Sequence, residues 1–390
     1  MRLSTDKLIL GGLLIFTLAE TLTHYGQVYP DSPGYFAAAH FFQNRASSAG
    51  EPNFRLLRPV VPFLASLANY FANIRTSFAI VNLLFWCAAA VLMFYFTNLL
   101  TKNVYSSLFS SLIFTSAIPM LLFADAALTD MGGYFFILLC TYLVIKWDIP
   151  RAPMTRVCVM ALIIGVGILA RESVASALIF AVVWTLWSTR SLARAAILIL
   201  IPLAISLGWS YAVGISYATW YSQGGLAYAA ANQPLTPLHR LLRLAGNIQY
   251  SFGRYPEILL LAALGLVVNH DKNHLRIHIS IWIGALAIIF AWPVIDTRFT
   301  FILFPSIFPL AGLGLEEAYR IIFRSNFIRE IWPSLNDSAS LHYAFLLLVA
   351  ALYALITNVV LRHYVSFPWM PYTDPSVKLT DIAWVRFYFM

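Results

Sequence analysis

The sequence predicts an all-α polytopic membrane protein with about eleven transmembrane helices, and three observations carry that reading. Apolar residues fill 60% of the 390 positions and charged ones only 11%, whereas soluble domains run at roughly half and a quarter. The mean hydropathy is +0.76. The apolar residues also gather in runs separated by short polar segments, as membrane spans require. A soluble enzyme, a nucleic-acid binder and a disordered chain are excluded.

Taken in order, the predicted spans are 8–22, 77–99, 104–124, 130–145, 157–170, 174–187, 195–216, 255–268, 277–295, 299–318 and 341–361. Several fall short of the ~20 residues a bilayer needs, so their ends extend into the flanks. Arg2 and Lys7 precede the first run as in a signal peptide. No small-residue cleavage site follows, so that run reads as an uncleaved first helix. The run 59–71, after Arg58, is too short to span and reads as an interfacial or re-entrant helix.

The membrane domain covers 1–361, with long external segments at 25–76 and 217–254 and a short aromatic tail at 362–390. In 217–254, Leu238, Leu241, Leu242 and Ala245 recur at helical spacing opposite Arg240 and Arg243, predicting a surface-lying helix. The aromatics Tyr217, Trp220, Tyr221 and Tyr228 suit an interface belt, or a polyprenyl groove or sugar stack.

The formal charge of +8 comes from 25 Lys and Arg scattered at the ends of apolar runs, where they snorkel and set topology rather than bind nucleic acid. The short loops 146–156, 190–194 and 272–276 are consistently basic, which places the N-terminus in the cytoplasm and the long segments outside. Cys87, Cys140 and Cys158 lie within apolar runs without ligand spacing and read as small core residues.

Ionisable groups near a membrane are costly and therefore informative. His24, Asp31, Arg55, Arg58, Asp125, Asp130, Arg171, Glu172, Arg254, Glu257, Asp296 and Arg298 all fall at the external ends of predicted elements. A converging polar pocket explains that shared depth; a ring of solvated loop charges is the alternative. Arg171 and Glu172 are adjacent, cannot share a helix face, and predict an external turn between two spans. Asp31 stands before Ser32-Pro33-Gly34-Tyr35 and an Ala-rich stretch, and reads equally as a helix N-cap or as a catalytic carboxylate. Glu20, His278, Glu316 and Glu317 are assigned to helix ends or interhelical hydrogen bonds.

The order of these features resembles the GT-C superfamily of integral membrane glycosyltransferases, especially the protein O-mannosyltransferase and aminoarabinose-transferase branch. The elements are a first helix, then Asp31 with Tyr35; Arg58 before Pro59-Val60-Val61-Pro62; Thr129-Asp130-Met131-Gly132 opening a span; Gly165 to Ala170 running into Arg171-Glu172; and Arg298-Phe299 leading to Pro305. Each motif is short; the ordered set covers most of 1–320. The family's acidic pair is here Asp31-Ser32, and the external soluble domain of larger members has no counterpart.

The resemblance implies transfer of a sugar from a polyprenyl-phosphate carrier to a lipid or glycan acceptor on the outer face of the cytoplasmic membrane. Asp31 would be the general base, and a single carboxylate implies inversion. Arg298 first, then Arg58 and Arg254, would bind the carrier phosphate, since guanidinium suits bidentate phosphate contact. Arg171, Tyr35, His24, Asp130 and Asp125 complete the expected substrate site. Asp31, Asp125, Asp130 and His24 would suit a divalent Mg or Mn ion, as in some members. Two other readings share these features: a transporter or flippase of lipid-linked sugars, and a non-catalytic subunit of a membrane complex.

Overall fold

The computed structural model describes residues 5–24, 31–44, 53–124, 126–222, 238, 241, 257–269, 271–291, 297–323 and 339–365. Among them the regular structure is helical, without strands. Helix α1 (Thr5–His24) is followed by the short α2 (Ser32–Phe41) and a 3-10 turn (Phe54–Leu57). Then come α3 (Val60–Ala68), α4 (Ile74–Thr101), α5 (Val104–Thr115), α6 (Ile118–Phe123), α7 (Asp130–Lys146) and α8 (Met154–Ala170). A second 3-10 turn (Glu172–Val174) leads into α9 (Ala175–Thr189), α10 (Leu192–Ala212) and the single turn α11 (Tyr217–Thr219). The rest is α12 (Glu257–Val268), α13 (Lys272–Ala291), a 3-10 segment (Thr297–Leu303), α14 (Phe304–Phe323) and α15 (Ala339–Val365).

The described part of each predicted span is mainly helical; the run 195–216 leaves its helix at Ala212, and one run is broken. The run 104–124 is not continuous: it breaks at Ser116-Ala117, where Ala117 turns extended and α6 begins anew with Pro119 in its first turn. Proline lacks the N–H and its ring clashes one turn back, so a helix restarts there rather than passing through. Among the described residues, five helical stretches are long and apolar enough to cross a membrane: 74–101, 172–189, 192–212, 272–291 and 300–322. Five more apolar helices are shorter. The predicted interfacial run 59–71 is the short α3, with Phe63, Leu67, Tyr70 and Phe71 exposed along it. Of the predicted surface helix in 217–254, Leu238 and Leu241 are described, both helical and exposed.

Helix ends are fixed by local chemistry. Asn73 accepts the amide of Thr76 at the start of α4, and Asn103 accepts those of Tyr105 and Ser106 at the start of α5. Between them Lys102 turns left-handed at φ 53°, letting α5 fold back along α4. The tightest crossing is α12 on α14: a Cβ at Gly265 would strike the Leu310 carbonyl, and one at Gly314 that of Leu261. Several buried polar groups pair between helices. Ser116 donates to Glu20 at 2.9 Å, His278 Nδ1 meets Ser306 Oγ at 3.0 Å, and His342 pairs with Glu316 at 2.8 Å. The three cysteines are free thiols.

The bundle has two unlike ends. Lys102, Lys146, Arg156, Arg190 and Arg194 mark one, at the C-termini of α4, α7 and α9 and the N-termini of α8 and α10. About 25 Å away along α7, at 1.5 Å per residue, the opposite end gathers the start of α7, the end of α8 and the start of α9.

Candidate active site

At that second end, charged side chains from four separate stretches of chain meet. Asp31 occupies the N-cap position of α2, yet its side chain makes no capping hydrogen bond. It instead accepts from Arg55 Nη2 at 2.5 Å. The cap reading therefore describes the backbone position, and the carboxylate is turned toward the 3-10 turn. Asn53 positions that turn: its Oδ1 accepts the Arg55 amide at 3.1 Å and its Nδ2 donates to the Gly34 carbonyl at 3.0 Å. Gly34 leaves room for this approach, because a Cβ there would sit 2.9 Å from Arg55 Cγ.

One turn along α2, Tyr35 is fully buried and its hydroxyl is the crossing point of the cluster. It accepts from Arg58 Nη1 at 2.5 Å and from Thr129 Oγ1 at 3.2 Å. Arg58 closes the 3-10 turn just before Pro59, and its Nε lies 2.7 Å from both oxygens of Glu172. Arg171 leaves α8 in an extended conformation, φ −163° and ψ 138°, which throws its side chain across to α7. There its Nη1 donates to Asp130 Oδ2 at 2.9 Å and to Thr129 Oγ1 at 3.2 Å. The break between α8 and α9 thus sends two neighbouring residues to two different partners.

Glycines make the approach possible at the start of α7. A Cβ at Gly133 would lie 2.8 Å from Arg171 Cβ, and one at Gly132 would lie 2.6 Å from Val61 Cγ2. The turn leading into Thr129 is held from inside the bundle. Asn82, in the third turn of α4, donates to the carbonyls of Ala126 and Leu128 at 2.6 and 3.0 Å.

An aromatic wall stands on the α10 side. Trp209 Nε1 donates to the Leu56 carbonyl at 2.7 Å, and the Tyr217 hydroxyl to that of Leu57 at 3.2 Å. Trp220 lies over the Arg58 guanidinium at 5.8 Å. Phe42 is wedged between Phe63 and Trp209, clamping the end of α2. The segment that follows α10 therefore begins as a flank of the site.

The electrostatics follow from this packing. Burial pushes the Tyr35 phenol up, but the Arg58, Arg55 and Arg171 guanidiniums together pull it below the usual value of 10.0. Burial alone would weaken the charge on Arg58; Glu172 and Tyr35 reverse this, and its pKa lies above the ordinary arginine value. The Tyr217 phenol is pushed up by burial and by nearby Glu172. Three guanidiniums and three carboxylates balance. The Arg58–Glu172 side chains are 8% and 11% exposed and those of Arg171–Asp130 11% and 0%, whereas Arg55–Asp31 remains 27% and 33% exposed.

The structure thus brings together Asp31, Tyr35, Arg58, Asp130 and Arg171 of the expected site. The guanidiniums of Arg58, expected at the carrier phosphate, and Arg171, expected elsewhere in the substrate site, both turn inward to carboxylates. Arg298 lies in the 3-10 segment Thr297–Leu303, whose Phe301 stacks on Tyr134 at 3.3 Å, one turn into α7. That backbone therefore reaches the same end. Arg254, Asp125 and the side chains of Arg298 and His24 lie outside the described residues. Of the four donors expected for a divalent ion, only the Asp31 and Asp130 side chains are described. Asp31 and Asp130 each face a guanidinium, and no group of three His, Cys, Asp or Glu converges among the described residues. Sequence reasoning did not single out Asn82 or the pairing of Arg55. An amide inside a 28-residue apolar helix is the signal that would have found the first.

Neither a protein-family model nor a curated protein matches the chain. Solved structures do. ArnT from Cupriavidus metallidurans bound to undecaprenyl phosphate is similar at a TM-score of 0.57 and 15% identity, over 92% of this chain and 72% of that one. Its apo form gives 0.55 and 14%, over the same shares. The archaeal oligosaccharyltransferase AglB from Archaeoglobus fulgidus, in complex with an inhibitory peptide and a dolichol-phosphate, gives 0.55 and 11%, over 92% of this chain and 56% of that one. The chain thus shares its fold with these proteins, and five of its described helical stretches are long and apolar enough to cross a membrane.

Proposed function

We propose that this GT-C-fold chain transfers a sugar from a polyprenyl-phosphate carrier to a lipid or glycan acceptor, with inversion and with Asp31 as general base. The supporting observation is the position of Asp31: a partly exposed carboxylate on the rim of a buried ionic cluster, at the end of the bundle opposite the basic loops. In this reading the chain makes eleven crossings of the cytoplasmic membrane, the N-terminus is cytoplasmic, and the cluster faces outward. The carriers named with ArnT and AglB, undecaprenyl phosphate and dolichol-phosphate, are lipid phosphates of the proposed donor class.

The acceptor oxygen attacks the anomeric carbon while its proton passes to Asp31. The bond from that carbon to the phosphate oxygen breaks, and the carrier leaves as an anion needing no general acid. Arg298 and Arg254 are the proposed phosphate ligands. Arg58 and Arg171, inward-turned, position Tyr35, Thr129 and the start of α7 instead. A resident divalent ion has no part in this scheme.

The test is incubation of the purified protein with radiolabelled polyprenyl-phosphate sugars and candidate acceptors, for wild type, Asp31→Asn and Arg298→Ala. Transfer by wild type that collapses in both variants supports the reading. Equal turnover in all three, or none in wild type, overturns it and favours a non-catalytic scaffold.

A further inference from the structure

We infer that Arg55 belongs to the donor-phosphate site and that the free protein stores it on Asp31, so that the carrier phosphate and the Asp31 carboxylate compete for one guanidinium. This rests on the function proposed above. The cluster is charge-balanced, three arginines against three acids. A lipid phosphate arriving there adds negative charge, and beside Arg298 and Arg254 a guanidinium of the cluster can meet it by changing partner.

Exposure decides which. Arg58–Glu172 and Arg171–Asp130 are buried, and opening either would leave an uncompensated charge in a dry interior. Arg55–Asp31 is the pair a ligand can reach, and its separation costs least. The local geometry supports such an exchange. The Arg55 backbone is pinned by Asn53, its stem lies in the space left by Gly34, and its guanidinium sits 5.3 Å above the Tyr35 ring. An aromatic face holds a guanidinium without fixing its direction, so the group can swing from carboxylate to phosphate over an unmoved platform. Asp31 is then freed at the moment the donor is seated, and the base becomes available after donor binding rather than before it.

The experiment measures undecaprenyl phosphate binding to detergent-purified full-length wild type, Arg55→Gln, Arg55→Lys, Asp31→Asn and the Arg55→Gln/Asp31→Asn double variant. Thermal unfolding serves as the control for folding. Arg55→Gln should bind about tenfold more weakly, as expected for loss of a charge-assisted contact, with Arg55→Lys recovering part of it. Asp31→Asn should bind on the order of fivefold more tightly, because the competitor for Arg55 is gone. In the double variant that gain should vanish. Unchanged or weaker binding by Asp31→Asn, or unchanged binding by Arg55→Gln, overturns the exchange while leaving sugar transfer by wild type intact. Transfer by wild type is read separately, so failure of the proposed function is distinguishable.

Discussion

Arg58 Nε lies 2.7 Å from both carboxylate oxygens of Glu172, across 114 positions of sequence. The pair joins the segment between α2 and α3 to the turn between α8 and α9, beneath Trp220 and beside the buried Tyr35 hydroxyl.

Because both side chains are buried, removing one partner strands the other. Glu172→Gln should lower folding stability by about 3 kcal/mol or more. A hydrophobic double replacement, Arg58→Met with Glu172→Leu, should recover much of that loss. Chemical unfolding in detergent, compared across the single and double variants, checks this; a Glu172→Gln protein as stable as wild type would contradict it.

Asp31 is expected to behave oppositely. Its pair is partly exposed, so Asp31→Asn should leave the unfolding midpoint nearly unchanged while slowing sugar transfer about 10²–10⁴-fold, the usual worth of a general base. Turnover and thermal unfolding on the same preparation separate the two effects.

Tyr35 carries a pH signature. Its phenol pKa lies below 10.0 in the folded protein, so folding favours the phenolate. The resulting stabilisation is absent at low pH, appears as pH rises through the folded-state value, and is complete above about 10, where the unfolded chain also ionises. Relative to Tyr35→Phe, wild type should gain stability from neutral to alkaline pH. A difference that is flat or falling with pH would refute this.

Gly133 gives a steric test. A Cβ there would lie 2.8 Å from Arg171 Cβ and 3.0 Å from its Cδ, so Gly133→Val should push Arg171 off Asp130. Activity should fall about as far as in Arg171→Met, and combining the two should cost little more, since both act on one contact.

Much of this was legible in the chain. Apolar run length located the long apolar helices, and shared depth grouped Asp31, Arg58, Asp130 and Arg171, because burying charge in hydrocarbon is too costly to occur by chance. What pairs with what was not legible. The partner of Arg58 is Glu172 and that of Arg171 is Asp130, although Arg171 and Glu172 are neighbours; only the extended backbone at Arg171 separates them. The break at Ser116-Ala117 was written in Pro119 but masked by hydrophobicity on both sides. Asn82 was hidden because a single amide barely alters the mean hydropathy of a long apolar helix.

That amide reaches furthest. By gripping two carbonyls just ahead of Thr129, the buried Asn82 lets α4 set the height at which the charged rim begins. An apolar residue at position 82 would strip both carbonyls of their donor and unmoor a charged surface several residues distant, so catalytic defects here can originate in the greasy interior.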